Sequence, residues 1–205
     1  MSRHLFALIL GSVVFLAGCV PVFLNPAYTT EDVFFEPALV GDWNQENQEA
    51  DGVWQFRAGT DGTYVFTHRE SDGKEPRPYE VHLFRLGEDR FLDFYPLEKD
   101  GTKVSDALLI PAHFLYQVHI ETGRVVLRGL NWKWMEEQME EKKFSLPYVK
   151  ANDVYLVTSP TDEIQTFLRE QILPHEEAFQ EAEILLRQEK ALEGKPHEAN
   201  VSSGH

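Results

Sequence analysis

Phe114, Tyr116, Val118 and Ile120 alternate with His113, Leu115, Gln117 and His119 through the clearest strand in the chain, Ala112 to Ile120. A period of two puts one set on each face of a sheet, and such a segment cannot sit as a helix. The same short pattern recurs between turn signals at Leu39 to Asn44, Val53 to Arg57, Thr63 to His68, Tyr79 to Leu86, Arg90 to Tyr95, Arg124 to Leu130 and Val154 to Thr158. Asp61-Gly62, Gly87-Glu88-Asp89 and Glu121-Thr122-Gly123 separate several of them, and Asp-Gly is a strong hairpin signal. Strands at this spacing predict a mainly β fold, an antiparallel up-and-down barrel of about eight strands or a sandwich. Helices do not alternate with the strands, which argues against a parallel α/β sheet.

Two interruptions change the pattern. Asn131 stands as a cap before Trp132 to about Lys142, a helical insertion with Trp132, Met135 and Met139 on one side and Glu136, Glu137, Glu140 and Glu141 outward. Ser159-Pro160 then reads as a helix start, and Ile164, Phe167, Leu168 and Ile172 fall at helical spacing up to Pro174. Phe179, Ala182 and Leu186 predict a second helical stretch to about Leu192. The expected organisation is a leader at 1–18, a tether at 19–35, a barrel domain at 36–158, C-terminal helices at 159–193 and a disordered tail at 194–205.

The leader carries its own chemistry. Arg3 precedes Leu5 to Ala17, thirteen residues without a charge. That is the length of a signal-peptide core and too short to span a bilayer. Leu16-Ala17-Gly18-Cys19 closes it, and Cys19 is the one cysteine of the chain. The stretch resembles the lipobox of bacterial lipoproteins. The resemblance implies that the Cys19 thiol receives a diacylglyceryl group, that cleavage precedes Cys19 and that its new amino group is acylated. It implies a cell-membrane or outer-membrane protein, lipid-anchored on the periplasmic side; Val20 in place of aspartate points to the outer membrane. Two or more acyl chains hold stably where one holds weakly. With the thiol consumed, the domain has no disulfide to form and depends on its core.

Gly41-Asp42-Trp43 on the first long strand resembles the Gly-x-Trp signature of the lipocalins. The resemblance implies an eight-stranded lipocalin-like barrel that holds a small apolar ligand, with Trp43 plugging its closed end. It also implies an arginine from the last strand over that tryptophan, and Val154 to Thr158, read as the last strand, contains none. Trp54, Phe56, Tyr64, Phe66, Phe114 and Tyr116 are the candidate ligand lining, although inward side chains in so small a barrel can simply fill it.

Other chemistry is poorly represented. His113 and His119 share a face but lie about 20 Å apart at strand rise, and no metal-ligand spacing links the histidines with carboxylates. No Gly-x-Ser-x-Gly occurs, and no cofactor or catalytic residue is expected. Asp93, between Phe91 and Tyr95, reads as inward, with an outward register as the alternative. Acidic residues number 34 against 19 basic, a net charge of −15, which disfavours nucleic acid and anionic lipid as partners. The expected function is therefore a membrane-anchored, non-enzymatic barrel with a small apolar ligand. The alternative is an interaction module with a packed barrel, offering its acidic face to a basic envelope protein.

Overall fold

The structure, a computed structural model, describes residues 21–46, 52–70, 73, 75–97, 111–141, 143–144, 146–151 and 154–188. The leader, Cys19 and the tail at 194–205 lie outside them. Strand β1 (Val22–Phe23) opens the described chain, and a 3₁₀ turn at Pro37–Leu39 precedes β2 (Gly41–Gln45). Strands β3 (Val53–Ala58), β4 (Tyr64–Arg69), β5 (Pro78–Leu86), β6 (Asp89–Pro96), β7 (Phe114–Glu121) and β8 (Arg124–Gly129) follow, each antiparallel to the one before. Helix α1 (Trp132–Glu140), β9 (Tyr148–Ala151), β10 (Val154–Val157), α2 (Thr161–Phe167) and β11 (Glu183–Arg187) complete the order.

Strands β2 to β8 and β11 close an antiparallel barrel of lipocalin-like, up-and-down order. The β3–β4 turn shows how the sequence sets the meander. Asp61 and Gly62 both take positive φ, 53° and 80°, the geometry whose twist matches a tight hairpin. Register then fixes the two faces: Trp54 and Phe56 lie opposite His68 and Phe66, and Leu83 lies opposite Leu92.

Two strand assignments read from the sequence are corrected. Val154–Val157 is no barrel strand; β10 forms a separate three-stranded sheet, parallel to β1 and antiparallel to β9. The eighth barrel strand is β11, inside the region expected to be helical at 159–193. It pairs with both β2 and β8. Leu185 is buried in the barrel while Leu186 is 40% exposed, so the period there is two. Without β11, both neighbours would present open edges, and that tertiary demand overrides a locally helix-compatible Glu-Ile-Leu-Leu-Arg. Of the expected C-terminal helices, α2, a π turn at Leu168–Ile172 and a 3₁₀ turn at Glu176–Ala178 are present. Pro160, not Ser159, occupies the α2 cap position, without a side-chain hydrogen bond.

The tether expected at 19–35 is also corrected over its described part. Phe23 and Ala27 are fully buried, and Val33 bridges to Phe84. The segment runs down the outer wall of β5 and β6. Gln165 on α2 stitches it by donating to the Ala27 carbonyl (3.1 Å) and the Asp32 carboxylate (2.8 Å). Two cores result. One fills the barrel; the other lies between the outer faces of β5–β7 (Phe84, Leu86, Phe91, Leu115) and the layer of α1, α2 and β10. Helix α1 forms as read, with Asn131 Oδ1 accepting from the Trp134 N–H and Trp132 and Met135 buried.

Candidate ligand site

The barrel has a sealed end. Trp43 is fully buried where β2 begins, and its Nε1–H donates to the Leu39 carbonyl at 3.0 Å. The Arg187 guanidinium lies over the indole, 4.3 Å from the ring centroid, and donates to the carbonyls of Val40 (2.9 Å) and Ala38. A β-carbon at Gly41 would sit 2.3 Å from Arg187 Nη1, so the glycine makes room for the cation. Arg187 lies on β11, directly opposite Trp43. It supplies the tryptophan-covering arginine that Val154–Thr158, expected from sequence as the last strand, does not contain. Tyr64 belongs to this closure: it stacks on Phe35 (4.9 Å), and its hydroxyl accepts from the Glu36 N–H at 2.6 Å.

The other five candidate lining residues come together in the barrel. Trp54 and Phe56 contact Phe66 at 5.3 and 4.9 Å between ring centroids, and Phe66 meets Phe94 edge-on at 5.2 Å. Phe94 stacks on Phe114 (4.9 Å) and meets Tyr116 at 5.6 Å. Each such pair contributes about 0.5–1.5 kcal/mol beyond burial. The sequence reading missed Phe94, because it placed Phe91, Asp93 and Tyr95 on the inner face of β6, and it assigned Tyr79 on β5 to neither face. The inner face carries Leu92 and Phe94. Both faces of β6 are buried, Phe91 through Phe94 alike, so alternation alone does not choose between them.

At the end opposite Trp43 the inner wall turns polar. Glu183 stands two residues before the buried Leu185 and opposite Leu127, another buried member of the barrel core, so it faces inward. Tyr116 lies opposite Gly129, which lets the wall pack closely: a β-carbon there would come within 3.4 Å of the Tyr116 ring and 3.3 Å of the Gln180 carboxamide. Burial and the nearby Glu183 charge push the Tyr116 phenol above its usual value. Burial likewise raises the Glu183 carboxyl above the ordinary carboxylate range, with no cation offsetting it. A carboxyl raised in the fold holds its proton more tightly there than in the unfolded chain. Stability therefore falls as pH rises from the unfolded value through the raised one, and the penalty persists above it. Glu183→Gln is expected to raise the thermal midpoint at neutral pH by on the order of 2 °C and to leave it unchanged near pH ~3, where both states are protonated. Calorimetry at the two pH values checks this.

Outside the barrel, Asp93 is fully buried under the N-terminal segment. Its Oδ1 lies 2.6 Å from His113 Nδ1 and its Oδ2 accepts from the Ala27 N–H at 3.2 Å. The outward register is therefore the correct one. His82, opposite Asp93 on β5, stacks with Tyr28 and pairs with its hydroxyl at 3.0 Å. His82 and His113 are far apart in sequence; the β5–β6–β7 pairing brings them to either side of one carboxylate. Among the described residues no group of three or more His, Cys, Asp or Glu is placed to hold a metal ion. A groove of about 510 Å³ separates α1 from β9 and includes Glu136, Glu140, Tyr148 and Lys150. Glu136 accepts from the Tyr155 hydroxyl, which reduces the free acidic face of α1.

No protein-family model, curated protein or solved structure matches this chain.

Proposed function

We propose that this protein is a lipid-anchored, non-enzymatic barrel of the bacterial envelope, facing the periplasm, that holds an amphiphilic molecule drawn from the membrane carrying it. One observation carries the reading: the N-terminal strand enters beside the end of the barrel opposite the Trp43 closure. Phe23 exchanges backbone hydrogen bonds with His113, next to Phe114 of the aromatic cage, and Val22 packs on the barrel core. Cys19 stands three residues before Val22, a reach of at most about 10 Å in extended chain. Acyl chains on Cys19 would set that end, and not the Trp43 closure, toward the bilayer. The aromatic interior offers apolar contact, and the polar groups Tyr116 and Glu183 stand where a head group would remain.

Cys19→Ser is expected to move the protein from the membrane fraction to the soluble periplasmic fraction. Retention in the membrane with the leader removed would refute the anchor. The ligand half is read separately. Trp43 and Trp54 lie in the barrel core, so a twelve-carbon amphiphile titrated below its micelle concentration is expected to shift tryptophan emission saturably in the wild type and in Cys19→Ser alike. A linear, non-saturating response would argue against a barrel ligand.

A second reading, an interaction module with a packed barrel, is favoured by the sixteen buried residues of the barrel cluster. It predicts no saturable response and a stoichiometric protein partner.

A further inference from the structure

The polar end of the barrel narrows the chemistry of the ligand. We propose that Glu183 and Tyr116 form a head-group site for a protonated amine, with the hydrocarbon part of the ligand against the rings of Tyr79, Phe94 and Phe114. This rests on the reading that the barrel holds an amphiphile.

Glu183 faces the barrel interior and is without a hydrogen-bond or ion-pair partner among the described residues. A largely desolvated carboxylate with no partner destabilises the empty protein. The cations on neighbouring strands are turned elsewhere. Arg128 alternates with the inward Leu127 and Gly129, lies over Phe179 at 4.7 Å and pairs with Glu176. Arg187 is four residues along β11, about 13 Å at strand rise, and is engaged with Trp43 and two carbonyls. Glu183 therefore carries a charge that no cation among the described residues pairs with, while Arg77 acts on the Tyr79 side of the site.

The Tyr116 and Tyr79 hydroxyls are likewise without partners among the described residues. Neither is among the sealed, unpartnered polar atoms, which are Trp132 Nε1 and Ser159 Oγ. Each hydroxyl therefore keeps a small contact with solvent. Gly129 lets the Tyr116 ring and the Gln180 carboxamide pack close against the wall. An ammonium here donates a charge-assisted hydrogen bond to the Glu183 carboxylate and meets the Tyr116, Tyr79 and Phe114 rings, whose faces attract cations. Tyr79 and Phe114 meet edge to face at 5.4 Å, and Phe94 and Phe114 stack at 4.9 Å, continuing the apolar surface inward. A carboxylate or phosphate head would meet Glu183 with like charge.

The test holds the tail constant and changes the head. Dodecylammonium, dodecanol and dodecanoate are titrated below their micelle concentrations into the full chain carrying Cys19→Ser, with tryptophan emission as readout. Dodecylammonium is expected to bind at least about tenfold more tightly than dodecanoate. Glu183→Gln is expected to abolish that preference and leave dodecanol unchanged, a split that general loss of structure would not produce. Tyr116→Phe is expected to weaken the ammonium several-fold. Equal binding of dodecanoate, or a preference that survives Glu183→Gln, overturns the proposal. Saturable binding of none of the three overturns the barrel-ligand reading itself, and this proposal with it.

Discussion

Trp43→Ala lowers the stability of the domain by about 3–5 kcal/mol, the range for removing a fully buried large aromatic side chain. Three losses coincide. The indole leaves a void at the sealed end, because Leu39 and the backbone of the 3₁₀ turn cannot move in without breaking the closure. The Leu39 carbonyl loses its donor at 3.0 Å. Arg187 loses the ring beneath it at 4.3 Å, and its hydrogen bonds to Val40 and Ala38 then hold less order. Arg187→Lys separates the contributions. A lysine keeps the charge but cannot reach two carbonyls as a planar fork, and it is expected to cost about 1–2 kcal/mol, as lost hydrogen bonds to a charged group do. Urea denaturation with unchanged slope checks both variants. A Trp43→Ala loss below about 1 kcal/mol would mean that the closure is not where the fold is held.

Asp93→Ala is expected to cost about 3–5 kcal/mol, because breaking a buried pair leaves its partner unmatched. His113 Nδ1 and the Ala27 N–H both lose their acceptor, and each buried unsatisfied group costs about 1–3 kcal/mol. The effect is directional. Asp93 clamps the N-terminal segment onto the outer wall, so hydrogen exchange is expected to rise first at residues 22–33, while the barrel amides of β3 and β4 stay protected. Asp93→Leu combined with His113→Leu should recover part of the loss, since removing both members leaves no orphan. Uniform exchange across the barrel and the N-terminal segment would contradict the clamp.

The two variants mark which parts of the fold could be read from sequence. Local alternation at Phe114 to Ile120 and the Asp61-Gly62 turn specify strands and a hairpin with little help from the rest of the chain. The same holds for α1, where Asn131 caps and Trp132 and Met135 set the buried side. The eighth strand was hidden because Glu183 to Arg187 contains residues compatible with a helix, and its identity as a strand comes from the edges of β2 and β8. Once β11 is placed, Arg187 over Trp43 follows; with the last strand assigned to Val154 to Thr158, it could not be found. Asp93 was misplaced for another reason. The wall of β6 is covered on both faces, so apolar residues stand at successive positions and the period-two signal disappears. In the candidate site, the aromatic lining was legible as an inward set. Glu183 was not, because a lone glutamate in an acidic stretch carries no local sign that it faces a barrel interior.

A bound amphiphile at the Tyr116–Glu183 end of the barrel is the central expected result. Native mass spectrometry of the wild-type protein, extracted from its own host in mild detergent, tests that most directly. The expected spectrum contains the covalently acylated chain plus one further, non-covalent amphiphile that leaves on collisional activation. A spectrum showing only the covalent lipoprotein mass, alone or with a stoichiometric protein partner, would contradict it.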